Sequence, residues 1–143
     1  MNLAIFSPNQ NPYSETFIQA HKNYIKADKL YYIYGGSFEN MIIENVGPLV
    51  NQRKRLAIKG LSKLINASKK PDFTKAVSNK LKSLKVDVAL IEYGNHAEKL
   101  IEVLKTAGIP FVVHFHGYEI SVRNTIKANA NYKKLFDSAS YVI

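Results

Sequence analysis

Residues 86–117 read VDVALIEYGNHAEKLIEVLKTAGIPFVVHFHG, and the way this stretch divides decides the fold. Val86 to Tyr93 is an apolar run of strand length, stopped by Gly94. Ala97 to Ala107 gathers Leu100, Ile101, Val103 and Leu104 on one side of a helix that Gly108 ends. Pro110 to His116 is a second apolar run, stopped by Gly117. Strand, amphipathic helix and strand at this spacing make a βαβ unit, whose two strands pair in parallel.

The same alternation extends outward. Leu3 to Ser7 is a short buried strand that runs into the turn-rich Ser7-Pro8-Asn9-Gln10-Asn11-Pro12. Ser14 opens a helix whose apolar positions are Phe17 and Ile18, then Ala20, Tyr24 and Ile25. Leu30 to Tyr34 is a strand closed by Gly35-Gly36, and Met41 to Val46 is a further short strand before Gly47-Pro48. Leu49 to Ala67 is helical, with Ala57, Leu61, Leu64 and Ile65 on one face and Arg55, Lys59 and Lys63 on another. A second basic helix spans Asp72 to Leu84. Beyond Gly117 the pattern gives a loop, a helix over Thr125 to Phe136, and a last strand beginning at Tyr141-Val142-Ile143. Strands alternating with helices predict one α/β domain over residues 1–143 with a mainly parallel sheet.

Composition narrows the chemistry. The 143 residues are 46% hydrophobic and 22% charged, enough apolar material for an unaided core. With no cysteine there is no thiol nucleophile and no cysteine-based zinc or iron–sulfur site, which fits a reducing compartment. The opening MNLAIFSPNQ has a short apolar run with no basic residue before it, unlike a signal peptide. No apolar run reaches the roughly 18–20 residues that span a bilayer. The expectation is a cytoplasmic protein whose membrane contact, if any, is made at the inner surface. The net charge of +9 is local: eleven of the twenty basic residues lie between Asn51 and Lys85, with Asp72 the one acid among them. Anionic lipid, acidic substrate and nucleic acid are all partners for such a patch. Aromatic residues do not interleave with it, so nucleic acid is not expected.

In open parallel sheets the ligand crevice lies beyond the carboxyl ends of the strands, and three segments fall there. The first is Ser7 to Thr16, where Ser14, Glu15 and Thr16 stand at a helix start with unpaired backbone N–H groups; an ordinary helix cap explains them as well. The second is Glu92 to His96, with Glu92, Tyr93, Gly94 and Asn95. The third is His114-Phe115-His116-Gly117-Tyr118-Glu119. Residues two apart in a strand share a face, so His114 and His116 point together while Val113 and Phe115 pack on the other side. Gly117 would then turn the backbone sharply. A histidine here suits hydrogen bonding or proton transfer at a sugar hydroxyl. The competing reading makes His114 and His116 a metal pair with Glu92, His96 or Glu119, but no spaced third ligand stands out, so no metal is expected.

Several of these segments together resemble one family. IEYGNHAEKLIEVLKTAGIPFVVHFHGYEIS is similar to the middle of the N-terminal domains of glycosyltransferase family 4. There a strand ending in a Glu-Tyr-Gly-like turn leads through a helix and Gly-Ile-Pro to a strand ending in His-Phe-His-Gly, with an acid two residues later. That acid is Glu119 here, where aspartate is commoner. LAIFSPNQNPYSETFI resembles the family's first strand and loop, and ASYVI resembles a strand that continues into the rest of such enzymes. Positions 38–85 carry no motif that aligns, and the family's usual first-loop glycine is missing from SPNQNPYSET.

The resemblance implies a Rossmann-like three-layer domain, the N-terminal and acceptor-side half of a GT-B fold, truncated before a C-terminal donor-binding domain and inactive alone. It implies retaining transfer from a nucleotide-sugar donor, a substrate held mainly by the missing domain, with no cofactor and no tightly bound metal. The acceptor would be a glycan or lipid-linked molecule of cell-surface polysaccharide biosynthesis. His116 would be the catalytic residue, approached by the transferred sugar or the acceptor hydroxyl. Ser14, Glu15, Thr16, Glu92, Tyr93, Gly94, Asn95, His114, Gly117 and Glu119 would line the acceptor side, and Arg55, Lys59 and Lys63 would meet the membrane or an anion. The alternative is a non-enzymatic α/β binding module that uses the basic helices for nucleic acid or a protein partner.

Overall fold

Leu3, Ala4, Ile5 and Phe6 are all buried, which marks the first strand as central with both faces covered. It is β1 (Asn2–Ser7), and β2 (Lys29–Tyr34) and β5 (Val88–Glu92) flank it in parallel. Beyond β5 lie β6 (Phe111–His114) and β7 (Tyr141–Val142), also parallel. On the other edge β3 (Ile42–Ile43) and β4 (Gly47–Pro48) add two antiparallel strands. The sheet order is β4-β3-β2-β1-β5-β6-β7, a mixed and mostly parallel seven-stranded sheet in a computed structural model. The structure describes residues 1–10, 15–65 and 71–143. The chain steps outward from β1 to β2 and then returns to β5 on the other side of β1. The strand order therefore reverses between β1 and β5, where a crevice opens in α/β sheets.

The helices are α1 (Thr16–Tyr24), α2 (Gln52–Ile65), α3 (Thr74–Ser83), α4 (Gly94–Ala107), α5 (Gly117–Ser121), α6 (Arg123–Ala128) and α7 (Lys133–Phe136). They divide unequally between the two faces. One face builds the main core, in which Ala4, Phe6, Ile33, Ala89, Ile91 and Val113 meet Val77 and Leu81 of α3 and Leu100, Ile101 and Leu104 of α4. A buried hydrogen bond from the Ser78 hydroxyl to the Val103 carbonyl, 2.8 Å long, ties α3 to α4. The other face carries Leu3, Ile5, Tyr32 and Leu90, and among the described residues α1 is the one helix packed there, through Ile18. Side chains alternate along each strand, so Glu92 and His114, two residues beyond Leu90 and Val112, emerge on this thinly covered α1 face.

Several expectations need correction. The strand expected over Met41 to Val46 is only Ile42–Ile43, and Gly47-Pro48 pairs back on it as an edge strand. The helix after β5 begins at Gly94, three residues earlier than its apolar period indicates. The strand expected to reach His116 ends at His114, and a short helix replaces the loop after Gly117. The single helix expected over Thr125 to Phe136 is broken, because Ala130, Asn131 and Tyr132 adopt φ of 50°, 54° and 54°. In α2 only Ile58 packs against the core, while Leu61, Leu64 and Ile65 are 59%, 85% and 72% exposed. The helix end expected at Ala67 lies outside the described residues.

Candidate functional site

Glu92 ends β5, is fully buried, and stands in register beside His114 at the end of β6. Two residues further, His116 lies just past the strand and still faces the same way. Across from them α1 presents Phe17 and, one turn later, His21. Three imidazoles converge on the one carboxylate. His21 Nδ1 lies 2.6 Å from Glu92 Oε1, while His114 Nδ1 and His116 Nε2 lie 3.1 Å and 3.2 Å from Oε2. The three rings stay partly open to solvent, at 27%, 23% and 14% of their side-chain surface.

Aromatic rings wall the cluster. Phe17 stacks on His116 at 4.3 Å and meets His114 edge-on at 5.9 Å. Tyr93 closes the other side, 4.2 Å from the His116 ring. Burial, then the neighbouring His114 ring, push the His116 pKa down, and Glu92 opposes them. The outcome favours a neutral imidazole.

The turn from β5 into α4 is under strain. Tyr93 has φ 72° and ψ 127°, a conformation L-residues rarely adopt, held by its N–H bond of 2.9 Å to the His114 carbonyl and by a hydroxyl bond to the Glu15 carboxylate. Burial, and then the Glu15 hydrogen bond, raise the Tyr93 pKa, so its hydroxyl remains a donor. Gly94 is required for space: a Cβ there would fall 2.1 Å from Cε1 of Phe115.

Not every expected residue serves as read. Ser14 lies outside the described residues. Glu15 holds Tyr93, and Thr16, Asn95 and Gly117 stand exposed at the element ends around the cluster. Gly117 has no positive φ and open space where a Cβ would go, so no sharp turn depends on it. Glu119 is buried and not exposed on a wall of the crevice. Its buried carboxylate accepts the backbone N–H groups of Gly94 and His116, the latter at 3.4 Å, and so ties the two turns together. Burial raises its pKa. His96 is buried within α4 and makes no hydrogen bond through either ring nitrogen, so it is no partner for His114 and His116. In the basic stripe Arg55 pairs with Glu39 at 3.1 Å and Lys59 pairs with the same carboxylate, while Lys63 is exposed. Glu39 therefore offsets one of the three positive charges of that stripe.

Sequence reasoning missed two contributors, Phe17 as a stacking partner and His21 as the nearest ligand of Glu92. The signal was their four-residue spacing on the helix that follows the first strand, which places both over the strand-order reversal. Together, fold and cluster define an α/β protein, compatible with a Rossmann-like fold, with a carboxylate–imidazole site at the carboxyl edge of its sheet. Against known protein families, curated proteins and solved structures, the chain finds no match.

Proposed function

We propose that this chain is the acceptor-side domain of a retaining glycosyltransferase of GT-B type. The enzyme would move a sugar from a nucleotide-sugar donor to a glycan or lipid-linked acceptor in cell-surface polysaccharide synthesis. The observation that carries this reading is the pairing of His116 with buried Glu92 beside the strand-order reversal, walled by Phe17 and Tyr93. His116 Nε2 faces Glu92, and its other ring nitrogen faces the Glu119 N–H in a capping box. In this reading the ring leaves that cap and takes the proton of an acceptor hydroxyl as its oxygen bonds the anomeric carbon and the nucleoside diphosphate departs, with Glu92 balancing the charge. His114 shares the same carboxylate oxygen and fixes its orientation. The donor and its diphosphate are contributed by a second domain.

A lipid-linked acceptor is supported by α2. Leu56, Leu61, Leu64 and Ile65 are exposed there, and Ala57, Ile58, Leu61 and Ile65 line a groove of about 480 Å³ with Lys54 and Lys75 on it. Apolar residues flanked by lysines suit the surface of an anionic bilayer, on its cytoplasmic side. No described helix is long and apolar enough to cross a membrane. The nucleic-acid alternative is less favoured because the groove between the lysines is lined by apolar side chains, which a phosphate backbone would leave uncovered.

The test begins with the gene's reading frame past the codon for Ile143, which should encode a second α/β domain. In the enzyme so defined, His116→Ala should lower kcat roughly 10²–10⁴-fold, with the folded state retained by circular dichroism. An unchanged kcat would remove His116 from the mechanism, and a stop codon at that point would end the transferase reading.

A further inference from the structure

We infer that His21, Glu92 and His114 form a binding site for a divalent first-row transition metal, zinc being the ion their donor set fits best. One donor atom from each, a ring nitrogen of either histidine and a carboxylate oxygen, lies within 4.8 Å of the other two. Zinc bound at about 2.0–2.2 Å from nitrogen and oxygen in tetrahedral geometry needs donors about 3.3 Å apart. His21 Nδ1 lies 2.6 Å from Oε1 and His114 Nδ1 3.1 Å from Oε2 of the same carboxylate, so binding an ion between them requires the side chains to spread toward that spacing. The three ligands come from three elements packed in one body. β5 and β6 are locked in register at Glu92 and His114, and α1 is anchored on the sheet by buried Ile18.

Charge points the same way. Among the described residues, the hydrogen bonds to Glu92 all come from imidazoles, and neither lysine nor arginine bonds this fully buried carboxylate. Buried carboxylates ordinarily sit beside a fixed cation or a metal. Two imidazoles and one carboxylate, without thiolate, suit zinc and its neighbours, whereas calcium and magnesium take all-oxygen sets. His116 Nε2, 3.2 Å from the same carboxylate oxygen as His114, is placed to orient that ligand from outside. The partly exposed edges of His21 and His114 give an ion a way in and leave a position for water or a substrate hydroxyl, which the metal would make more acidic. The sequence lacked a third ligand because that ligand is His21, far from the His114–His116 pair.

This inference stands apart from the transferase reading, since its test measures binding and not transfer. The full chain, freed of metal by a chelator, is titrated calorimetrically with Zn²⁺ and followed by its visible spectrum with Co²⁺, with Mg²⁺ as control. The expected result is one equivalent of Zn²⁺ bound, d–d bands with Co²⁺, no heat with Mg²⁺, and affinity at least tenfold weaker in His21→Ala and in His114→Ala. His21 is partly exposed on α1, so that variant keeps the fold, which near-UV circular dichroism checks. His96→Phe should bind Zn²⁺ as the wild type does. No binding by the wild type, or equal affinity in the wild type and both ligand variants, overturns the site.

Discussion

Replacing Gly94 with alanine tests whether the corner between β5 and α4 is as tightly built as its geometry requires. The added Cβ would lie 2.1 Å, 2.5 Å and 2.8 Å from Cε1, Cζ and Cδ1 of Phe115. Carbon atoms rest about 3.5–4.0 Å apart, so the ring must retreat by roughly 1.5 Å. It has little room. Phe115 is itself buried and meets buried Tyr132 edge-on at 5.0 Å, with Phe136 at 5.8 Å behind. Overpacking of this kind costs about 1–3 kcal/mol. Alanine recovers up to about 1 kcal/mol over glycine inside a helix, and less at the first helical position, which Gly94 occupies. The net loss is about 1–2 kcal/mol, or roughly 3–6 °C in Tm for a domain of this size. Thermal and urea unfolding followed by circular dichroism read it directly. The same substitution in a Phe115→Leu background should cost about 1 kcal/mol less, because the shorter side chain leaves room. A Gly94→Ala protein at least as stable as the wild type, or an equal loss in both backgrounds, would refute the steric account.

Two further predictions concern buried groups the proposed chemistry does not use. Burial, then the charge of Lys99, lower the His96 pKa to about 4, against about 6.5 when unfolded. The folded protein thus excludes a proton the unfolded chain takes up. Stability is complete above pH 6.5 and falls as the pH drops toward 4, by about 3 kcal/mol in all; His96→Phe should flatten this fall, and an unchanged slope in urea denaturation would reject it. Glu119→Ala leaves the buried N–H of Gly94 and that of His116 without their acceptor and should cost about 2–4 kcal/mol, whereas Glu119→Gln keeps an acceptor and should recover most of the loss. Equal losses in the two variants would mean that something other than these hydrogen bonds is at stake.

How far the sequence could be read follows from what each residue type signals. The βαβ unit was legible because Val88 to Glu92, Leu100 to Leu104 and Phe111 to Val113 repeat with strand, helix and strand periods and are buried accordingly. The early start of α4 was not, since it depends on Tyr93 taking a positive φ that no pattern announces. Thr125 to Phe136 has unbroken helical character, and the break near Asn131 arises because Tyr132 turns inward to meet Phe115. In α2 the apolar period is genuine, yet beyond Ile58 it lines an open groove beside α3, and periodicity alone does not say what covers a face. The pairing of Glu92 with His114 and His116 was within reach, as adjacent parallel strands bring their ends together. His21 showed only through its four-residue spacing from Phe17 on the helix after the first strand, since a histidine neither strengthens nor interrupts an apolar period.

At the carboxyl end of β5 the fold departs from what stability alone would favour. Within one turn of the β5 carboxyl end sit a fully buried glutamate, a tyrosine with φ 72° and a buried histidine with two unbonded ring nitrogens. A buried carboxylate ringed by imidazoles is seldom better for stability than apolar packing of the same volume. A strained backbone residue costs about 1–3 kcal/mol. Elsewhere β1, β5 and α4 are filled with aliphatic side chains in the ordinary way, so this chain readily builds an apolar core where nothing else is asked of it. Strained backbone also occurs at Asn45, Lys85 and Ala130 to Tyr132. The buried carboxylate with its imidazoles, however, lies at the edge where the strand order reverses, the place where α/β sheets hold ligands. Metal and acceptor hydroxyl are both ligands of that kind, and they make opposite demands on His21. A metal requires it as a ligand, whereas proton transfer through His116 and Glu92 can proceed without it. The His21→Ala protein therefore separates the two: metal affinity lost with transfer intact assigns the ion a role outside the chemical step, and loss of both together places the ion in it.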